Sequence, residues 1–407
     1  MAESTVDLDN MISPEYFADP YVLFEQIREN DPIHWNALFG FWILTRYDDI
    51  YSALQDRRFA STVTPRSSLL ASLAPEDLAA LPAVAGYLTM FMQGMDPPLH
   101  TRQRGLIHRS FTPRMVEHMR ERIESIVTEL LDAVQAKGEF DLMDDLAFPL
   151  PSTVIFELLG IPLELRDSVR RSSETIAAFV SLTTPAPGQL QQMAASLQIV
   201  ADQLRPIIAQ RRTQPQNDFL SSLVQVEEHG EYLSEQELII LITMLLFAGH
   251  ETTTNLLGNG IFALLNHPRQ WELLKANPSL VNGAVEEMLR FSSPVTIISR
   301  FITEDLTMDG KRIHKGEQVR LALGAANRDP KHFPDPNAFN ITRKPERILS
   351  FGFGIHFCVG AALARMESQI VLTELIRRMP NLRIANDSYQ WRPNLAMPGL
   401  LSLPVKC

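Results

Sequence analysis

The sequence predicts a mainly α fold with minor β content. Three observations carry this. Helical apolar periodicity dominates from about residue 114 to 266. Short runs rich in β-branched and aromatic residues lie before and after that stretch. Residues 234–266 form one long apolar helical pattern, opened by the capping box Ser234-Glu235-Gln236-Glu237 and stopped ahead of Pro268.

Taken in order, Tyr21 to Glu29 reads as a helix. Ile33-His34-Trp35 and Phe41-Trp42-Ile43-Leu44, divided at Gly40, read as a hairpin. Residues 60–98 read as an apolar loop carrying Leu81, Tyr87, Leu88, Met90, Phe91 and Met92. Helices are expected at about 114–136, 151–158, 164–181 and 188–212, with Pro185-Ala186-Pro187-Gly188 parting the last two. The 234–266 helix would be about 48 Å long. Its middle is apolar nearly all round, so it should be buried. Strands follow at 295–301, 306–308 and 318–323, and a last helix at about 359–378. No Gly/Ser linker, low-complexity run or fixed-period repeat interrupts the chain, and its 27 prolines are scattered. One domain over 1–407 is expected.

Composition narrows the function. The 407 residues are 45% hydrophobic and 21% charged, ordinary globular values. The net charge of −11 argues against a chain-wide nucleic-acid footprint. Two cysteines, Cys358 and Cys407, cannot build a disulfide framework, so a reducing compartment is expected. The start of the chain has Glu3, Asp7 and Asp9, no basic residue before Pro14 and no apolar run after it, unlike a signal peptide. The longest apolar stretch, Leu238 to Gly249, is too short to span a bilayer. A soluble cytoplasmic protein, monomeric and without a membrane span, follows as the expectation.

Four motifs carry chemistry. In Phe351-Gly352-Phe353-Gly354-Ile355-His356-Phe357-Cys358-Val359-Gly360 a glycine-rich loop presents one cysteine at the start of a helix. A helix N-terminus favours a thiolate, and glycines let backbone approach a flat ligand. The plain alternative is a buried structural cysteine. Phe357 stands where a dinucleotide loop needs glycine. In Ala248-Gly249-His250-Glu251-Thr252-Thr253-Thr254, small Ala248 and Gly249 leave room for a ligand face, and an acid and a hydroxyl follow in an apolar context. The alternative is a helix whose hydroxyls bond back to carbonyls; a zinc site fails because position 254 is threonine. Glu287 and Arg290 are spaced i,i+3, ordinarily a solvated surface pair, and Arg343 could complete a buried triad. His100 and Arg104, one turn apart, could neutralise two cofactor carboxylates together with Arg300 and His356; the alternative is ordinary surface charge.

In combination, from about residue 14 to 404, these motifs resemble the cytochrome P-450 superfamily, the haem-thiolate monooxygenases. Asn327-Arg328-Asp329-Pro330 and Phe333-Pro334-Asp335-Pro336 add to the likeness. It looks like a soluble bacterial member. The resemblance implies the family's triangular helical prism, with haem b between the long central helix and the cysteine-loop helix. It implies Cys358 as the iron ligand, and His100, Arg104, Arg300 and His356 on the haem propionates. It implies Ala248, Gly249, Phe351 and Gly352 against the haem, and Glu287, Arg290 and Arg343 as a structural triad. Thr252 would hydrogen-bond bound dioxygen, and Glu251 would feed it protons through water. Electrons would come from NAD(P)H through a ferredoxin reductase and a ferredoxin.

The expected reaction is hydroxylation or epoxidation of a largely apolar small molecule. A polyketide or macrolide is favoured; a steroid, terpenoid or fatty acid also fits. Met90, Phe91, Met244, Phe247, Val295, Thr296, Ile298 and Met397 are expected to line the pocket, within segments 60–95, 170–195 and 396–401. The ferredoxin is expected near Arg102, Arg109, Arg114 and Arg365, because no acid occurs between Leu99 and Val116 in an otherwise acidic chain. Two rivals are a peroxide-driven peroxygenase, whose members typically lack the Glu251-Thr252 pair, and a non-enzymatic haem sensor, which would need an output domain.

Overall fold

A computed structural model describes residues 7–62, 75–181, 187–228, 231–344 and 346–407. The architecture is mainly α with minor β, as the periodicity predicts. The expected loop at 60–98 is not one. Its part 63–74 lies outside the described residues, but Pro75–Met90 is a helix despite Pro82 inside it. An interior proline costs a helix about 3 kcal/mol, so packing forms this one: it lies on Gln189–Thr213 and on the central helix. Pro185 and Ala186 of the expected break are outside the described residues, whereas the helices on either side, Arg166–Ser181 and Gln189–Thr213, match the reading. The helix expected at 114–136 divides at Met119 into Pro113–His118 and Arg120–Gln135. Tyr47–Ala53 and Pro268–Ala276 are helices that the periodicity did not reveal.

The central helix runs Glu235–Leu265, and both hydrogen bonds of its capping box are present. It packs against Pro149–Leu159, Gln189–Thr213, Val281–Phe291 and Ala361–Arg378. Glycines admit the neighbours: a Cβ at Gly258 would collide with Met143, and one at Gly260 with Met288. Among the described residues this is the one helix long and apolar enough to cross a membrane, and most of it is buried in the core.

The hairpin forms as expected, Ile33–Asn36 against Phe41–Leu44, with Ile33 opposite Leu44. It joins a five-stranded sheet with Gln318–Leu321, Ile298–Ile302 and Phe59–Ala60. The strand expected from 295 starts at Ile298 because Thr296 is drawn elsewhere, its N–H donating to the Ala396 carbonyl. Arg300 stands opposite Val319, held by the register of the sheet.

Candidate active site

Asn327 positions the cysteine loop. Its amide donates to Ser293 and Ser350, and its Oδ1 accepts from the Leu349 N–H at 2.7 Å. Gly352 (φ 66°) and Gly354 (φ 72°) then turn the chain. A Cβ at Gly354 would lie 2.8 Å from the Leu54 carbonyl oxygen, so glycine is required there twice over. The Cys358 N–H closes the loop on the Phe351 carbonyl at 3.0 Å, and the helix Ala361–Arg378 follows.

Cys358 is exposed, although protein atoms crowd around its thiol. Burial pushes the thiol pKa up; the N–H groups of Gly360 and Ala361 and the guanidinium groups of Arg104 and Arg365 act against that.

His100, Arg300 and His356 converge beside this loop, with Arg104 reaching it directly. The His100 and His356 rings lie 4.2 Å apart. Arg104 donates to the Phe357 carbonyl at 2.6 Å, so part of its role is to tie Leu99–Ser110 to the cysteine loop. His356 Nε2 is 3.0 Å from the Ser61 hydroxyl. Arg300 is buried, and its Nη1 donates to the Ser299 carbonyl. Among the described residues none of these four makes an ion pair with a carboxylate, and the buried His100 Nε2 has no partner. Burial lowers Arg300 to about 10 and His356 to about 3; His356 is also held down by Arg300 and His100. Asp96 offsets burial only in part, and a buried cationic group with no anion in contact is costly. The cluster therefore suits a ligand that brings carboxylates, and haem with two propionates and a thiolate-ligated iron fits it. Among the described residues no group of three or more His, Cys, Asp or Glu side chains could hold a bare metal ion.

Between Leu238 and Ile261 the central helix is buried except for a stripe: Leu245, Ala248, Gly249 and Thr252 are partly accessible, at i, i+3, i+4 and i+7. Two residues expected to line the pocket lie off this stripe. Met244 and Phe247 are buried in the core beside the stripe, and Leu245, not foreseen, lies on it. Gly249 has a second reason to be glycine. A Cβ there would sit 2.8 Å from Ile155 side-chain atoms, so its smallness admits Pro149–Leu159.

Thr252 donates its hydroxyl to the Ala248 carbonyl at 2.7 Å, the back-bond weighed as the alternative, which leaves its oxygen able to accept. Glu251 points away from the stripe. It is buried and ion-paired with Arg392, a partner that sequence distance concealed. Both line a cavity of about 50 Å³ with Arg170, Glu174, the apolar Met143, Phe148 and Leu400, and Thr254, whose buried hydroxyl has no partner among the described residues. His250 is buried against the Leu246 carbonyl, and burial lowers its pKa to about 4.

Of the other expected pocket residues, Met90, Val295 and Ile298 are partly accessible, whereas Phe91, Thr296 and Met397 are buried. Thr296 is wholly enclosed and spends both its N–H and its hydroxyl on the Ala396 carbonyl, so it ties two segments of the chain together.

Glu287 and Arg290 are not a solvated pair. They form a bidentate bridge with both bonds at 2.8 Å, nearly fully buried. Arg343 completes the triad at 3.4 Å. Carbonyls of Asn327, Pro336 and Ala338 satisfy the remaining Arg290 donors. The stretches at 327–330 and 333–336 thus wrap the triad. Arg328 lies between the Tyr21 and Phe291 rings, 3.7 and 3.8 Å from their centroids.

Of the basic residues expected at a partner surface, Arg109 and Arg114 are exposed. Arg102 is engaged by Glu237 and the Tyr232 carbonyl. Arg365 is paired with Glu286 and stacked on Phe351, a structural role.

Comparison with known proteins agrees with this geometry. The family profile described as Cytochrome P450 matches residues 83–380. The chain is 38% identical to the polyketide biosynthesis cytochrome P450 PksS of Bacillus subtilis (strain 168), with 96% of each chain covered. It is 37% identical to the 6-deoxyerythronolide B hydroxylase of Saccharopolyspora erythraea, with 97% of each covered. The solved structure of P450BioI, in complex with an acyl carrier protein bearing hexadec-9Z-enoic acid, superposes with a TM-score of 0.89 at 35% identity, covering 96% of this chain and 98% of that one. Cytochromes of this kind are monooxygenases that use haem, dioxygen and NAD(P)H-derived electrons delivered by redox partners. Matched over most of its length in sequence and in fold, the chain belongs to the cytochrome P450 family.

Proposed function

We propose that the chain, as one domain over 1–407, oxidises a largely apolar small molecule of polyketide or macrolide type. Cys358 supplies the thiolate to haem iron, and His100, Arg104, Arg300 and His356 take the two propionates. When bound, the haem supplies dioxygen activation and transfer of one oxygen atom to a C–H or C=C bond. The protein's own residues do the rest. Arg300 and the histidines fix the orientation of the haem through its carboxylates. Leu245, Ala248, Met90, Val295 and Ile298 present an apolar wall that excludes water and carries no charge. Thr252 offers a hydroxyl toward that wall. Glu251, held by Arg392, passes protons from the cavity it lines toward Thr252. Phe351 and Gly352 pack on the cysteine side.

The accessible, uncharged stripe on an otherwise buried stretch of the helix carries this reading, because a polar substrate would need converging polar side chains there. The relatives named for polyketide biosynthesis and for 6-deoxyerythronolide B hydroxylation support the substrate class. A carrier-protein-tethered acyl chain is the second reading, favoured by the likeness to P450BioI in complex with a loaded acyl carrier protein. We place a ferredoxin on the surface around Arg109 and Arg114 and the protein in the cytoplasm as a monomer. A binding-spectrum screen over macrolactones, steroids, terpenoids, free fatty acids and acyl carrier protein thioesters tests the substrate class. A spin-state shift at micromolar macrolactone is expected; saturation only by a polar or charged compound would overturn it.

A further inference from the structure

Asp77 sits in the first turn of Pro75–Met90 and is 1% exposed. Its carboxylate is spent on another element. Oδ2 accepts the Gly188 N–H at 2.8 Å, and Oδ1 accepts those of Leu190 (2.9 Å) and Gln191 (3.3 Å). These amides open Gln189–Thr213, whose own N-cap, Gly188, has no side chain to satisfy them. A helix start leaves N–H groups unpaired and carries partial positive charge. Here a carboxylate more than a hundred residues away meets both needs, so the cap also fixes where two helices sit relative to each other. Pro75–Met90 lies on Gln189–Thr213 and on the central helix, and its Tyr87 and Met90 pack against the core. Met90 is among the accessible residues assigned to the pocket wall.

We propose that Asp77 is a positioning residue for the substrate pocket: it clamps Pro75–Met90 to the N-terminus of Gln189–Thr213 and sets how fast a bulky apolar ligand leaves. This rests on the reading that these segments wall the pocket. Two measurements on the holoenzyme separate the clamp from that reading. The first is hydrogen exchange of the amides at 188–191. The second is release of two iron-ligating probes, imidazole and clotrimazole, followed by absorbance. In Asp77→Ala, exchange at 188–191 accelerates and clotrimazole leaves about tenfold faster, equivalent to ~1.4 kcal/mol, while imidazole release is unchanged. Asp77→Asn keeps one accepting oxygen but sets an NH2 donor against the remaining N–H, so it should show part of both effects, and that partial acceleration carries the test if Asp77→Ala does not fold. Unchanged exchange in Asp77→Ala overturns the clamp. Faster exchange with unchanged clotrimazole release overturns the pocket assignment and leaves the clamp standing. Equal acceleration of both probes overturns the positioning role in favour of general loosening.

Discussion

Replacing Arg300 with methionine should move two properties in opposite directions. The guanidinium is buried on a strand whose register holds it opposite Val319. Its hydrogen bond is to the Ser299 carbonyl, and among the described residues no carboxylate is in ion-pair contact with it. Burial lowers its pKa to about 10. At ~1.4 kcal/mol per pKa unit, a drop of more than two units puts the cost of the buried charge at ~3 kcal/mol. Methionine matches the aliphatic stem of arginine, is shorter and has no charge to desolvate, so the haem-free Arg300→Met protein should gain stability, by up to ~3 kcal/mol. In the proposed arrangement a haem carboxylate would pair with the wild-type arginine, and removing one partner of a buried charge pair costs ~2–5 kcal/mol. Haem affinity should then fall by a factor of about 30 to several thousand. Urea unfolding of the apoprotein at constant m-value reads the first effect. Haem transfer to apomyoglobin reads the second. Lower apoprotein stability together with an unchanged haem-transfer rate would refute the assignment of this cluster to an anionic cofactor.

Three further outcomes are expected. Gly249→Ala gains ~1 kcal/mol of helix propensity but overpacks Ile155 at a cost of ~1–3 kcal/mol. It should therefore lower the unfolding midpoint in urea, and Ile155→Ala in the same chain should remove the penalty; a midpoint shift in the double variant equal to the sum of the two single shifts would show that the residues do not couple. Thr252→Ala should keep haem and consume NADPH while releasing more peroxide per product; an unchanged product yield per NADPH would take Thr252 out of the proton path. Arg109→Glu and Arg114→Glu should slow reduction by ferredoxin at low ionic strength, and added salt should shrink the difference; wild-type rates in both at low salt would put the partner elsewhere.

Much of this molecule is legible from its residues in order, and the illegible parts share a physical cause. Glu235–Leu265 announced itself because the signal is local: a capping box, an apolar pattern and a following proline. The cysteine loop was legible because its glycines answer to turn geometry within ten residues. Pro75–Met90 was missed because a proline and a glycine stand inside it and its stability comes from neighbours distant in sequence. Arg392 was missed for a similar reason: nothing near it marks the partner of Glu251, 141 residues earlier. Gly249 was found, but only part of its purpose was read, since Ile155 comes from another helix. Glu287 and Arg290 were placed in a structural triad by the family resemblance, not by their own spacing. Their spacing is the commonest surface pattern, and only the wrapping by 334–343 makes the pair buried.

The most direct test of the central claim is the carbon monoxide difference spectrum of the reduced protein in Cys358→Ser and Cys407→Ser. The strongly red-shifted band would require a thiolate-ligated haem iron, which Cys358 would supply. It should vanish in Cys358→Ser and persist in Cys407→Ser. A band that survives in Cys358→Ser and is lost in Cys407→Ser would contradict the account.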